Sequence, residues 1–165
     1  MFYRAILTAC LLCLNVGCDY SQRITRLEKD NKDLQSKVSR QEAAIDYDLQ
    51  AKCAKDSRTW FLQNWQKDNK TLLLDYTNHY NRSRNICFIL VQYNRSMGRK
   101  GEFVSKDLIA HDIYENVEHA SGGTVEHVGD PDYKDIPRCS IENQNQTVKS
   151  FQDCFNKIWA TFMTN

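Results

Sequence analysis

Ile86-Cys87-Phe88-Ile89-Leu90-Val91-Gln92-Tyr93, bounded by Asn85 and Asn94, is the stretch from which the fold is read. β-Branched and aromatic residues between two turn-forming asparagines predict a strand. Its apolar run is nearly continuous instead of alternating, so both faces must be covered, which places it inside a sheet and not at its edge. Cys87 near its start is within reach of a preceding element.

Downstream, Met97-Gly98-Arg99-Lys100-Gly101 is a basic turn, and 103–114 alternates as a second strand pairing back through it. A third, shorter strand is expected near Val117. Ser121-Gly122-Gly123 and Gly129-Asp130-Pro131-Asp132 have the composition of loop punctuation. Cys139-Ser140-Ile141 is expected as a short edge strand. The span 148–163, with Phe151, Cys154, Phe155, Ile158, Trp159 and Phe162 at helical spacing, closes the chain as an amphipathic helix with Thr147 as its N-cap.

Upstream, Leu72-Leu73-Leu74 and the following Asp75 to Asn81 are expected as a helix end or irregular connector. Cys53, Ser57, Trp60, Phe61, Asn64 and Trp65 fall on one helical face and mark a helix laid over the core. Helix, strands, helix in that order predicts an α+β domain over 52–165, with an antiparallel sheet of three to four strands flanked by helices.

Before that domain, residues 19–50 contain no Gly or Pro and are rich in charge. With Ile24 as heptad position a, Ile24, Asn31, Val38 and Ile45 occupy a, while Leu27, Leu34, Gln41 and Asp48 occupy d. β-Branched residues at a with Leu at d favour a two-stranded parallel coil, and a buried Asn such as Asn31 specifies register and dimer. Arg23 at g faces Glu28 at e of a partner helix, and Lys37 faces Glu42. Gln41 and Asp48 weaken the seam toward its C-terminal end. A solitary amphipathic helix lying on its own domain is the competing reading. Either way, about 30 helical residues span on the order of 45 Å, the dimensions of a stalk. A homodimer through residues 20–50 is the expectation carried forward.

The first eighteen residues give the address. Arg4 is the charged n-region, Ala5 to Leu14 the apolar core, and Asn15-Val16-Gly17-Cys18 the junction of a secretory signal. The apolar run is shorter than the roughly 20 residues needed to span a bilayer. The junction resembles the lipobox of bacterial lipoproteins, although Asn15 stands where that pattern favours Leu. The resemblance implies cleavage after residue 17 and a lipid on Cys18, anchoring the chain in a bacterial cell membrane and facing the periplasm or exterior. Asp19 beside the anchor resembles a signal for retention at the inner membrane. An ordinary cleaved signal with an unmodified Cys18 is the alternative. Residues 76–93, with His79-Tyr80-Asn81 leading into Cys87, resemble a segment of uncharacterised bacterial secreted proteins, from which no activity carries over.

Removing seventeen of the 165 residues leaves one domain plus an extension. Arg4 is the only charged residue lost, so the remainder carries 21 basic and 21 acidic residues. A neutral chain makes no electrostatic case for a nucleic-acid partner. Cys53, Cys87, Cys139 and Cys154 remain, an even number suited to an oxidising compartment, with three possible pairings. Cys53 with Cys87 and Cys139 with Cys154 are favoured, since each joins neighbouring elements across a short loop. Among these four no Cys-x-x-Cys pair stands to support a zinc site; the Cys10-x-x-Cys13 spacing lies in the segment removed with the signal.

The catalytic motifs His-Glu-x-x-His and Gly-x-Ser-x-Gly and the Gly-rich phosphate loop are not in the sequence, and no cofactor is expected. His111, His119 and His127, eight apart among acidic residues, are the weak candidates for a metal-dependent or hydrolytic site; if strand-borne, His111 and Glu115 would share a face. Solvated, scattered histidines are the better reading. Asn69, Asn81, Asn94 and Asn145 each open an Asn-x-Ser/Thr sequence, glycan acceptors if the chain were a eukaryotic secreted glycoprotein. The expectation reached is a lipid-anchored, non-catalytic envelope protein presenting its domain to an unidentified envelope protein or macromolecule.

Overall fold

The computed structural model describes the backbone of residues 2–130, 133 and 137–164, and side chains from residue 20 onward. The element order is α1 (Phe2–Asn64), β1 (Thr71–Asn81), β2 (Ile86–Met97), β3 (Phe103–Asp112), β4 (Val117–His127), β5 (Arg138–Ile141), β6 (Gln144–Asn145) and α2 (Phe151–Phe162). The chain divides into a unit of Met1–Ile45 and a unit of Asp46–Asn165. Among the described residues no helix is long and apolar enough to cross a membrane. The signal-like segment and the Cys18 side chain lie outside the residues whose side chains are described.

In the second unit the six strands form one antiparallel sheet in sequence order, β1-β2-β3-β4-β5-β6. This α+β architecture is as expected, with more strands than the three to four read from the pattern. β2 is an interior strand, and Cys87 to Val91 are all buried. Successive strand side chains point to opposite faces, so Phe88 and Leu90 enter one core while Cys87, Ile89 and Val91 enter another. Two cores, one on each face, are why the run is apolar without alternation.

The first core packs α2 through Cys154, Ile158 and Phe162 against Phe88, Leu90, Leu108, Ala110 and Ala120. The second receives the C-terminal part of α1, where the aromatic face expected from 53–65 lies over the sheet. The Phe61 and Tyr76 ring centroids are 4.4 Å apart, Trp65 and Tyr93 5.7 Å. Gln50 clips this helix to β1 with both ends of its amide: Nε2 donates to Asn78 Oδ1 at 3.2 Å, and Oε1 accepts from the Tyr80 backbone at 2.8 Å.

Four local readings are corrected. Residues 71–81 are not a connector but the outermost strand, β1. Three consecutive leucines hid its alternation, yet Tyr76 and Tyr80 face the helix-covered core while Leu72 and Asp75 lie exposed. The third strand is not short: β4 runs eleven residues and contains Ser121-Gly122-Gly123, which the sequence assigns to a loop. Arg138–Ile141 is not an edge, because it turns through Glu142 and Asn143, both at positive φ, into β6. Paired left-handed residues are what a two-residue hairpin turn demands. The cap of α2 is Ser150 and not Thr147: its Oγ accepts from the Asp153 backbone at 3.1 Å, and the helix begins at Phe151.

Candidate functional site

Both favoured disulfides are present. Cys53–Cys87 joins α1 to β2 and Cys139–Cys154 joins β5 to α2, with Cα separations of 5.5 and 5.7 Å. Each helix is thus covalently tied to the face of the sheet that it covers.

In the first unit, the apolar residues of the expected seam form an uncovered stripe. Ile24, Leu27, Leu34, Val38 and Ile45 are between 40% and 67% exposed, and Asn31 among them is exposed as well. Burial of a Leu or Ile side chain is worth about 1.5–3 kcal/mol, so these five are apolar surface left in water. In the second unit, α1 contacts the sheet from Asp46 on. Asp46 receives Arg82 at 2.8 Å, and Gln50 binds β1. Asp48, the next d position, is exposed.

The three histidines do not converge. His111 lies tilted against Trp60, at 5.0 Å between ring centroids; His119 lies edge-on to Phe88 at 5.4 Å; His127 lies edge-on to Phe103 at 4.8 Å and near Tyr133. One ring nitrogen of each is buried without a hydrogen-bond partner. They are scattered, as expected, but each rests half-buried against aromatic rings and is not fully solvated, and Glu115 is in the β3–β4 turn, off the strand that carries His111. Among the described residues no group of three or more His, Cys, Asp or Glu is placed to hold a metal.

Of the four Asn-x-Ser/Thr positions, Asn81 is structural. It is 2% exposed, and its Nδ2 donates to the carbonyls of Phe162 at 3.4 Å and Thr164 at 2.7 Å, holding the end of the chain against β1. A glycan there is incompatible with the fold.

A polar depression of about 210 Å³ lies where β3, β4 and β5 adjoin, lined by Asp107, Ser121, Gly122, Gly123, Arg138, Cys139, Ser140 and Asn145. Cross-strand register builds it: Asp107 pairs with Gly123, Gly123 with Arg138, and Ser121 with Ser140. The two glycines answer to different neighbours. A Cβ on Gly122 would fall 2.5 Å from Cys154 Sγ, on the α2 side; one on Gly123 would fall 2.9 Å from Asp107 Oδ1. Adjacent glycines inside a strand mark close approach from both faces, which is the signal that could have revealed this place from sequence. Burial pushes the Asp107 carboxyl above the usual carboxylate range, with the Ser105 hydroxyl and Arg138 pulling the other way.

On the α1 side, an exposed cluster ties the helix to the β3–β4 turn. Lys52 Nζ donates to Asp56 Oδ2 at 3.0 Å and to Tyr114 Oη at 2.9 Å, and lies 4.3 Å above the Tyr114 ring. The Tyr114 and Asp56 hydrogen bonds hold the Lys52 ammonium above its ordinary range, and the Lys52 contact holds Asp56 below its own. At the surface such pairs are worth little.

No protein-family model, curated protein or solved structure matches this chain.

Proposed function

We propose that this chain is a lipid-anchored protein of the bacterial envelope, tethered through Cys18, that presents a disulfide-bonded α+β domain from a membrane surface in a non-catalytic, interaction role. Residues 20–50 pair with a second copy as a parallel two-stranded coil. The membrane is the inner one on the reading of Asp19, and the domain's target is another envelope protein or an incoming macromolecule.

The observation that carries this reading is the uncovered seam from Ile24 to Ile45. An apolar heptad stripe of this length, with Asn31 in its interior and Arg23 placed to meet Glu28 of a partner, is complementary to itself. Asn31 in such a dimer would face its own counterpart, which satisfies both amides and penalises other registers. Two disulfides suit the oxidising side of a membrane, to which an N-terminal signal delivers a chain.

Expression of the full chain in a bacterial host with labelled fatty acid tests the anchor. The parent should incorporate label, and Cys18→Ser should accumulate as uncut, unlabelled precursor; normal processing of that variant would remove the lipoprotein reading. Sedimentation of the full chain in detergent tests the coil. The parent should sediment as a dimer and Leu27→Asp/Leu34→Asp as a monomer, whereas a monomeric parent would sink the pairing.

A further inference from the structure

The depression at β3, β4 and β5 brings together two opposite charges that do not neutralise each other by contact. The position that a Gly123 side chain would occupy is 2.9 Å from Asp107 Oδ1 and 3.7 Å from Arg138 Nη2. The carboxylate and the guanidinium therefore bracket one empty point, yet no ion pair within 4.0 Å joins them. Asp107 is half-buried and Arg138 exposed, so the carboxylate forms the inner wall and the guanidinium the rim.

We propose that this depression is a binding site for a small zwitterion of the α-amino-acid class, its ammonium on Asp107 and its carboxylate on Arg138. In such a molecule both charges hang on one carbon, so the pair fits groups that bracket a single point. The guanidinium fork suits a carboxylate in bidentate contact. Ser121 and Ser140, directly opposed across β4 and β5, offer hydroxyls that donate or accept, and Asn145 adds an amide.

Size and lining narrow the class further. About 210 Å³ is below the range of roughly 300–1,000 Å³ that holds drug-sized ligands. No aromatic ring is in the lining, which removes the stacking platform that a nucleobase uses. The Asp107 carboxylate, half-buried and reached by Arg138 only at a distance beside its Ser105 hydrogen bond, gains from an arriving ammonium in direct contact. The glycine at 123 is then a requirement of the site: any side chain there fills the point the ligand takes. This inference does not depend on the anchor or the coil.

Calorimetric titration of the full chain in detergent with glycine, L-alanine, N-acetyl-L-alanine, L-alaninamide and glucose tests it. Glycine and L-alanine should bind saturably. Acetylation removes the ammonium and amidation the carboxylate, and each should weaken binding at least about tenfold, as expected for loss of a charge-assisted contact. Asp107→Asn should abolish the discrimination against N-acetyl-L-alanine, and Arg138→Gln that against L-alaninamide. Gly123→Ala should weaken L-alanine at least about tenfold while circular dichroism stays unchanged. The proposal is overturned if neither amino acid binds saturably up to about 10 mM, if the capped analogues bind equally well, or if glucose binds as tightly. Should the Gly123 variant fail to fold, the analogue series on the parent chain still decides.

Discussion

Removing the Cys53–Cys87 bridge as Cys53→Ala/Cys87→Ala is the sharpest test of how the second unit is held together. The bridge closes a sequence separation of 34 residues, and in the chain-entropy account this is worth about 3.8 kcal/mol, against about 3.0 for the separation of 15 at Cys139–Cys154. Both sulfurs are fully buried between α1 and the sheet, and deleting them adds about 1–2 kcal/mol of lost packing. The expected loss is therefore about 5 kcal/mol, or a fall in Tm of about 20 °C for a unit of this size. Urea unfolding of the full chain under non-reducing conditions, followed by tryptophan fluorescence, reads it directly, because Trp60 lies in the interface that the bridge secures. Parent and variant are compared at equal protein concentration, since the proposed pairing would contribute to apparent stability. The segment 46–64 should also become the first site of proteolysis. A loss below about 1.5 kcal/mol, or one smaller than that of Cys139→Ala/Cys154→Ala, would refute the idea that this bridge closes the costlier loop.

Three other outcomes follow from particular contacts. Gly122→Ala places a Cβ 2.5 Å from Cys154 Sγ and should cost about 1–3 kcal/mol by overpacking, read by denaturant titration. Asn81→Ala removes the donor to the Phe162 and Thr164 carbonyls and should cost about 1–3 kcal/mol, with faster hydrogen exchange in the last turn of α2. Asp107→Asn should raise Tm at neutral pH. Burial raises the folded carboxyl above its unfolded value, so the folded state binds the extra proton and stability rises as pH falls through the folded pKa. The advantage of Asn should shrink over that window and vanish below about pH 4; an advantage unchanged by pH would remove burial of the charge as its cause. A residue that destabilises the free fold while lining a depression fits a place kept for binding and not for stability.

Legibility from sequence followed how local each constraint is. The apolar run at 86–93 disclosed an interior strand because being covered on both faces dictates every residue of it. The heptads of 24–45 were legible because one helix repeats a single environment. β1 was not, since an outer strand alternates only loosely and its three leucines imitate a helix end. Ser121-Gly122-Gly123 read as a loop because glycine is common in turns. Its actual reason, a disulfide sulfur on one face and a carboxylate on the other, comes from α2 and β3. The histidines were expected to be scattered and are, but their packing was hidden: a spacing of eight says nothing about which aromatic ring each one meets.

By itself the sequence determined the class of fold, the two interior helix faces and the apolar heptad stripe of α1, because each depends on periodicity within one element. It also favoured the two disulfide pairings, since each joins neighbouring elements across a short loop. Only the tertiary structure decided which glycines meet a close neighbour, and that Asp107 and Arg138 face one empty point. Those depend on register between strands, and register is a sum of many weak cross-strand preferences that no single residue announces.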